Sequence, residues 1–195
     1  MARHSQSLDA AYFEEMFQGD TDPWDLESSA YEAAKFEASV AALGGRHYRR
    51  GFEIGCAGGT LTRRLAPWTA DLLAIDISAT ALERARKRCE GLTQVRFARM
   101  AFPRDTPDEP PFDLMVMSEV AYYWDEADLD RAARDILRLL EPGGDLLLVH
   151  FTGETDYPQS GDDAVGLLGA ALGGDVEVLT SETHARYRLD LWRRR

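Results

Sequence analysis

The chain is poor in the residues that would staple it or load it with metal. Its 195 residues include 2 cysteines and 4 histidines. Neither a C-x-x-C pair nor a Cys/His cluster at metal-ligand spacing occurs, which argues against a disulfide framework and against a bound metal. Positive charge is also scarce: 22 Lys+Arg stand against 34 Asp+Glu, a formal net charge of -12. Nucleic-acid affinity rests on neutralising phosphates, so no nucleic-acid partner is expected. No apolar run approaches the ~18 residues of a membrane span, and no basic-then-apolar leader opens the chain; a cytoplasmic protein without a membrane span is expected. Two phosphate signatures are missing as well. There is no G-x-x-x-x-G-K-[ST] run for a triphosphate and no G-x-G-x-x-G turn for a dinucleotide.

What is present is a glycine turn in the right setting for a different ligand. Phe52-Glu53-Ile54-Gly55-Cys56-Ala57-Gly58-Gly59 reads as a buried strand running into a tight turn, and Leu61 to Ala66 continue as a helix. A second apolar run, Asp71 to Asp76, ends on an acid. A carboxylate at the end of the neighbouring parallel strand can accept hydrogen bonds from both hydroxyls of a ribose, at ~1.5–3 kcal/mol each. With both phosphate signatures absent, the pattern points to a ribonucleoside without phosphates.

The rest of the chain reads as alternating helices and strands. Two N-terminal helices, marked by Tyr12, Phe13, Met16 and Phe17 and then by Tyr31, Phe36, Val40 and Leu43, flank a break at Gly19 to Pro23. Ser78 caps a helix running to Cys89, Val95 to Ala98 is a short strand, and Pro103 to Pro111 is a loop. Phe112 to Ser118 is nearly all apolar, as a central parallel strand is. A helix over Leu129 to Leu140 ends at Pro142-Gly143-Gly144, before a strand at Leu146 to His150. Ala164 to Leu172 is a further helix, and Val176 to Thr180 with Tyr187 to Trp192 are expected as antiparallel edge strands. The order predicts an α/β fold, a doubly wound, mostly parallel seven-stranded sheet in one domain over residues 1–195.

The glycine turn resembles motif I of the class I S-adenosylmethionine-dependent methyltransferases, an acid-x-Gly-x-Gly-x-Gly pattern matched by Glu53, Gly55 and Gly59 and broken at Ala57. Pro142-Gly143-Gly144 resembles the turn that precedes strand five in that superfamily, and the element order resembles its Rossmann-like fold, with an antiparallel last strand. Further runs resemble the nodulation protein S (NodS-like) N-methyltransferases of chitooligosaccharide signal synthesis. They are Asp22-Pro23-Trp24, Ser29 to Lys35, Ser118 to Tyr123, Asp156-Tyr157-Pro158 with Gly161-Asp162, and Arg186 to Arg194. The resemblance implies S-adenosyl-L-methionine as cofactor, S-adenosyl-L-homocysteine as its product, and a helical cap over the cofactor, here residues 1–45 ahead of an α/β core at 46–195. It implies N-methylation of a small molecule, such as an amino sugar or oligosaccharide precursor. An O-methyltransferase and a cofactor-binding protein without chemistry are the alternatives.

On that resemblance the cofactor contacts are Glu53, Gly55, Cys56, Ala57, Gly58 and Gly59 in the turn and Asp76 with Ile77 at the ribose. Met100 and Ala101 wall the adenine, Ser118 and Glu119 lie at the methionine end, and Trp24 and Tyr31 belong to the cap. Arg99 to Phe102 offers no acid for the adenine amine. Glu119 follows the central strand and His150 ends the next, which makes them candidate catalytic groups able to take a proton. Helix capping and ordinary hydrogen bonding are their plainer readings. Lys35, Tyr122 and Tyr123 are candidate substrate contacts, with core packing as the alternative for the aromatic pair.

Overall fold

A computed structural model describes residues 3–195. Among the described residues seven strands, numbered β1 to β7 in chain order, form one mixed, mostly parallel sheet. The described residues divide into two compact units, Asp9–Met100 and residues 3–8 with Ala101–Arg195.

Asp9–Met100 opens with helix α1 (Ala10–Gly19) and, after a 3-10 turn at Pro23–Asp25, helix α2 (Ala30–Ala42). Asp9 and Ser29 cap them by accepting the amides of Tyr12 and Glu32. Strands β1 (Tyr48–Ile54), β2 (Thr69–Asp76) and β3 (Val95–Arg99) pair in parallel, with Ile54 opposite Ile75 and Asp76 opposite Arg99. Helices α3 (Thr60–Leu65) and α4 (Ala79–Arg88) follow β1 and β2. Ser78 caps α4 as expected, and Ala81, Leu82, Ala85 and Cys89 are its buried face. The α1 helix is fastened to α4 at two places. Glu14 accepts the hydroxyls of Ser78 (2.7 Å) and Thr80 (2.6 Å), and the Arg84 guanidinium donates to the carbonyls of Phe17, Asp20 and Thr21, satisfying groups that a helix end leaves open.

In the other unit, β4 (Phe112–Ser118) is buried except at its last residue, as its apolar run predicts. It is followed by α5 (Glu126–Leu139), β5 (Leu140–Phe151), α6 (Gly161–Leu172), β6 (Val176–Thr183) and β7 (Tyr187–Arg194). Two expectations need correcting. Pro142-Gly143-Gly144 lies within β5, where the register jumps from Phe112 opposite Leu140 to Leu114 opposite Asp145. The turn is a loop bulged from one strand, permitted by Gly143 at φ 79. The last two strands are not both edges either: β7 runs antiparallel between β5 and β6, so Leu189, Leu191 and Trp192 are buried while Val178 and Leu179 on β6 are exposed.

Residues 3–8 belong to this second unit. Arg3 pairs with Asp163, the His4 amide donates to the Asp156 carbonyl (2.7 Å), the Ser7 hydroxyl to Asp128 (2.7 Å), and the Leu8 amide to the Tyr123 carbonyl (3.0 Å). Among the described residues no helix is long and apolar enough to cross a membrane, and no group of three His, Cys, Asp or Glu is placed to hold a metal.

Candidate functional site

In Asp9–Met100 the predicted turn residues converge on one loop. Gly55 (φ 75), Ala57 (φ 47) and Gly59 (φ 80) are all left-handed, so the loop's curl needs three residues in a region that side chains disfavour. Ala57 occupies the position where motif I carries glycine, and its backbone adopts the conformation that glycine would favour. Gly59 has a second constraint, because a Cβ there would lie 2.9 Å from Ala85 Cα on α4. The amides of Gly55 and Cys56 both donate to the Ile75 carbonyl at 2.9 Å, which ties the loop to β2.

Asp76 is buried, and its carboxylate accepts the Ala57 amide at 2.8 Å and the Ser78 amide at 2.9 Å. The candidate ribose acid thus also joins the loop to the start of α4. Burial pushes its carboxyl up to about 6, opposed by the amides of Ser78, Ala57 and Ile77. Glu53 is buried too, and its Oε2 has no hydrogen-bond partner among the described residues. Burial lifts it to about 7, with the nearby Thr62 hydroxyl pulling it back and the Asp76 charge adding to the rise. Cys56 is buried, and its thiol is pushed well up by desolvation and by the charges of Asp76 and Glu53, which makes it a poor nucleophile. Ile77 lends its carbonyl to Arg99 (3.0 Å), and the Met100 amide donates to the Asp76 carbonyl (3.1 Å).

The N-terminal segment reaches the same loop. A small cavity is lined by Phe17, Pro23, Leu26, Glu27, Gly58 and Arg84, and Arg88 bridges the Gly58 carbonyl (2.7 Å) to the Glu27 carboxylate. Trp24 is 39 % exposed, left-handed at φ 67, and meets Phe17 edge-on at 5.7 Å. Tyr31 is half-buried, with the Lys35 ammonium 5.5 Å from its ring centre. Lys35 itself is buried in an ion pair with Glu32 at 2.8 Å.

The second unit gathers Ser118, Glu119, Tyr122, Tyr123 and His150 at the ends of β4 and β5. Glu119 is left-handed at φ 59 and half-buried. Its Oε2 accepts the Tyr122 hydroxyl at 2.6 Å and the Phe151 amide at 2.9 Å. The 3-10 turn over Ala121–Tyr123 has no side-chain cap, so the carboxylate joins two strand ends instead of capping a helix. His150 is 0 % exposed, and its Nε2 accepts the Ala121 amide at 3.1 Å. Tyr122 stacks on Tyr157 (5.3 Å, 16°), and Tyr123 meets Tyr157 edge-on (4.6 Å). Burial raises both phenols of the Tyr122 and Tyr123 pair well above the usual range. Ala101 starts the longer piece of this unit, its amide donating to Asp105 at 3.1 Å.

Several residues around the site carried no sequence assignment. Glu14 and Arg84 are ordinary surface residues of helices by pattern, and only the folded contacts reveal them as fastenings. Tyr157 had a signal, since it lies in one of the family-like runs, but its stacking partner lies far away in sequence.

Residues 13–155 match the family Nodulation protein S (NodS). Nodulation protein S of Rhizobium tropici is 32% identical over 128 residues, covering 65% of this chain and 53% of that protein. The chain spans roughly half to three fifths of the length of such curated relatives. Among solved structures, N-methyltransferase NodS from Bradyrhizobium japonicum WM9 in complex with S-adenosyl-L-homocysteine superimposes with a TM-score of 0.83 at 22% identity, over 96% of this chain and 99% of that one. A candidate methyltransferase from Pseudomonas syringae is 34% identical with a TM-score of 0.75, over 85% of this chain and 100% of that one. With the family match extending over most of its length, the chain belongs to the nodulation protein S family.

Proposed function

We propose that the protein is an S-adenosyl-L-methionine-dependent methyltransferase acting on the amine of a small molecule, of the amino-sugar or oligosaccharide-precursor kind. The observation that carries this reading is the left-handed Gly55-Ala57-Gly59 loop locked to Asp76, in a chain of this family. Glu53 adds a test of fit, because a buried carboxyl with an unpartnered oxygen beside that loop is suited to a donor supplied by a bound ligand. Gly55 to Gly59, Asp76 and Glu53 would hold the nucleoside and methionine groups, with Ile77, Met100 and Ala101 toward the adenine. The cofactor supplies an electrophilic methyl group on a sulfonium.

Methyl transfer to nitrogen needs an unprotonated amine held in line with the methyl carbon and an environment that excludes water. Proximity and orientation can contribute ~7–11 kcal/mol, so neither a covalent intermediate nor a metal is required. Glu119 is the group we assign to orient the amine and accept its proton, a contribution of ~10²–10⁴-fold by general-base precedent. His150 is enclosed and committed to Ala121, and in our reading it acts on the architecture and not on the acceptor. Tyr122 and Tyr123 are buried, so the half-buried ring of Tyr157, packed against both, is the one that suits the apolar face of a sugar ring.

The test has two parts. Calorimetry with S-adenosyl-L-homocysteine should show saturable, one-to-one binding. Labelled S-adenosyl-L-methionine should then pass its methyl group to a mono-de-N-acetylated chitooligosaccharide but not to the fully acetylated one. Binding without transfer to any amine or hydroxyl acceptor would leave a cofactor-binding protein without chemistry, and transfer to hydroxyl acceptors alone would make it an O-methyltransferase.

A further inference from the structure

Glu119 is fixed more firmly than a strand-end side chain needs to be. Its backbone is left-handed at φ 59, a conformation costly for a residue with a Cβ, while its amide donates to the Val149 carbonyl at 2.8 Å. Strain of this kind persists only where the surroundings over-determine it. Here the surroundings are two donors on one oxygen: the Tyr122 hydroxyl at 2.6 Å and the Phe151 amide at 2.9 Å both meet Oε2. Tyr122 is in turn enclosed. Tyr157 stacks on its face, the His150 ring meets it edge-on at 5.6 Å, and its carbonyl accepts the Gln159 amide at 3.1 Å. The turn carrying it is pinned where the Ala121 amide donates to His150 Nε2. Confinement of the ring fixes the phenol oxygen beside Oε2 of Glu119.

We propose that Tyr122 is a positioning residue, whose hydroxyl, together with the Phe151 amide, holds Glu119 by Oε2 in the one rotamer from which it meets the acceptor amine. The claim rests on the methyltransferase reading for the acceptor, but the clamp itself is a property of the folded chain. Removing the hydroxyl leaves the ring packing intact and takes away one of the two donors on Oε2, which loosens the hold on the carboxylate. Phe151 then loses the partner that protects its amide, whereas Leu147, Leu148 and Val149 keep theirs in the sheet.

The experiment compares Tyr122→Phe with the parent by amide hydrogen exchange in ¹⁵N-labelled protein and by steady-state turnover. We expect the Phe151 amide to exchange at least about tenfold faster in the variant, approaching its rate in Glu119→Ala, with the amides of 147–149 unchanged. With mono-de-N-acetylated chitooligosaccharide as the probe, kcat should fall about fivefold or more, while the acceptor KM and the affinity for S-adenosyl-L-homocysteine each stay within about twofold. Should Tyr122→Phe not fold, Tyr122→Leu also lacks the hydroxyl and repeats the measurement. Unchanged exchange at Phe151 overturns the clamp, and faster exchange with parental kcat overturns its part in catalysis. If the parent binds S-adenosyl-L-homocysteine yet leaves the probe unmethylated, the amine reading fails, and the exchange rates alone then uphold or overturn the clamp.

Discussion

The Asp76 carboxylate accepts the Ala57 amide at 2.8 Å, so the acid assigned to a ribose is also the lock of the glycine loop. Its two tasks can be separated. Asp76→Ala should weaken S-adenosyl-L-homocysteine binding by about 1.5–3 kcal/mol, through lost acceptors and a loosened loop together. Asp76→Asn keeps an acceptor oxygen and the side-chain volume, and should lose less. Equal affinity of Asp76→Ala and parent in calorimetry would remove Asp76 from the site.

The backbone angles of the loop give opposite expectations at neighbouring positions. Ala57→Gly relieves a left-handed alanine but loosens the unfolded chain, so the stability change should stay within about 1 kcal/mol. Gly59→Ala forces a Cβ against Ala85 at a positive φ, and should destabilise by about 1–3 kcal/mol. Denaturant midpoints with unchanged slopes check both.

Two raised carboxyls give stability a definite pH dependence. Glu53 is lifted from 4.5 to about 7 and Asp76 from 3.8 to about 6, so between those limits the folded chain holds protons that the unfolded chain has released. Their joint contribution therefore falls as pH rises from about 4 to about 7 and levels off above. In Glu53→Gln the decline should be shallower, by roughly 1–3 kcal/mol across the window. Thermal unfolding of parent and variant at steps of pH decides it, and a stability curve for Glu53→Gln that runs parallel to the parent's through this range contradicts the assignment.

In the other unit, Glu119→Gln preserves size and one acceptor but cannot take a proton. Turnover of an amine acceptor should drop at least about tenfold, with cofactor affinity affected less than by Asp76→Ala. Full turnover in this variant would send the search for the acceptor contact elsewhere in the aromatic cluster.

How much of this could be read in advance depended on whether the information was local. The span of β4 was legible because Phe112 to Ser118 is apolar on both faces, and the start of α4 because Ser78 is a cap followed by a helical pattern. The glycine loop and Asp76 were legible because turn chemistry and strand ends leave a fixed order in the chain. The bulge at Pro142 to Gly144 was not, since a glycine turn looks the same whether a strand stops there or continues past it. The burial of Lys35 escaped notice because a lysine reads as exposed until Glu32 is seen beside it. The place of β7 between β5 and β6 depends on pairing, which alternation alone does not encode.

The way the two units share the chain bears on how relatives could be recombined. Asp9–Met100 is continuous, whereas its companion is interrupted, with a short leading piece returning to Tyr123, Asp128, Asp156 and Asp163. Breakpoints at 8/9 and 100/101 therefore define a cassette. Exchanging it between family members would carry the glycine loop, Asp76 and the helices fastened to α4 as one inheritance, and leave Glu119 with the tyrosines and the leading residues that pack around them.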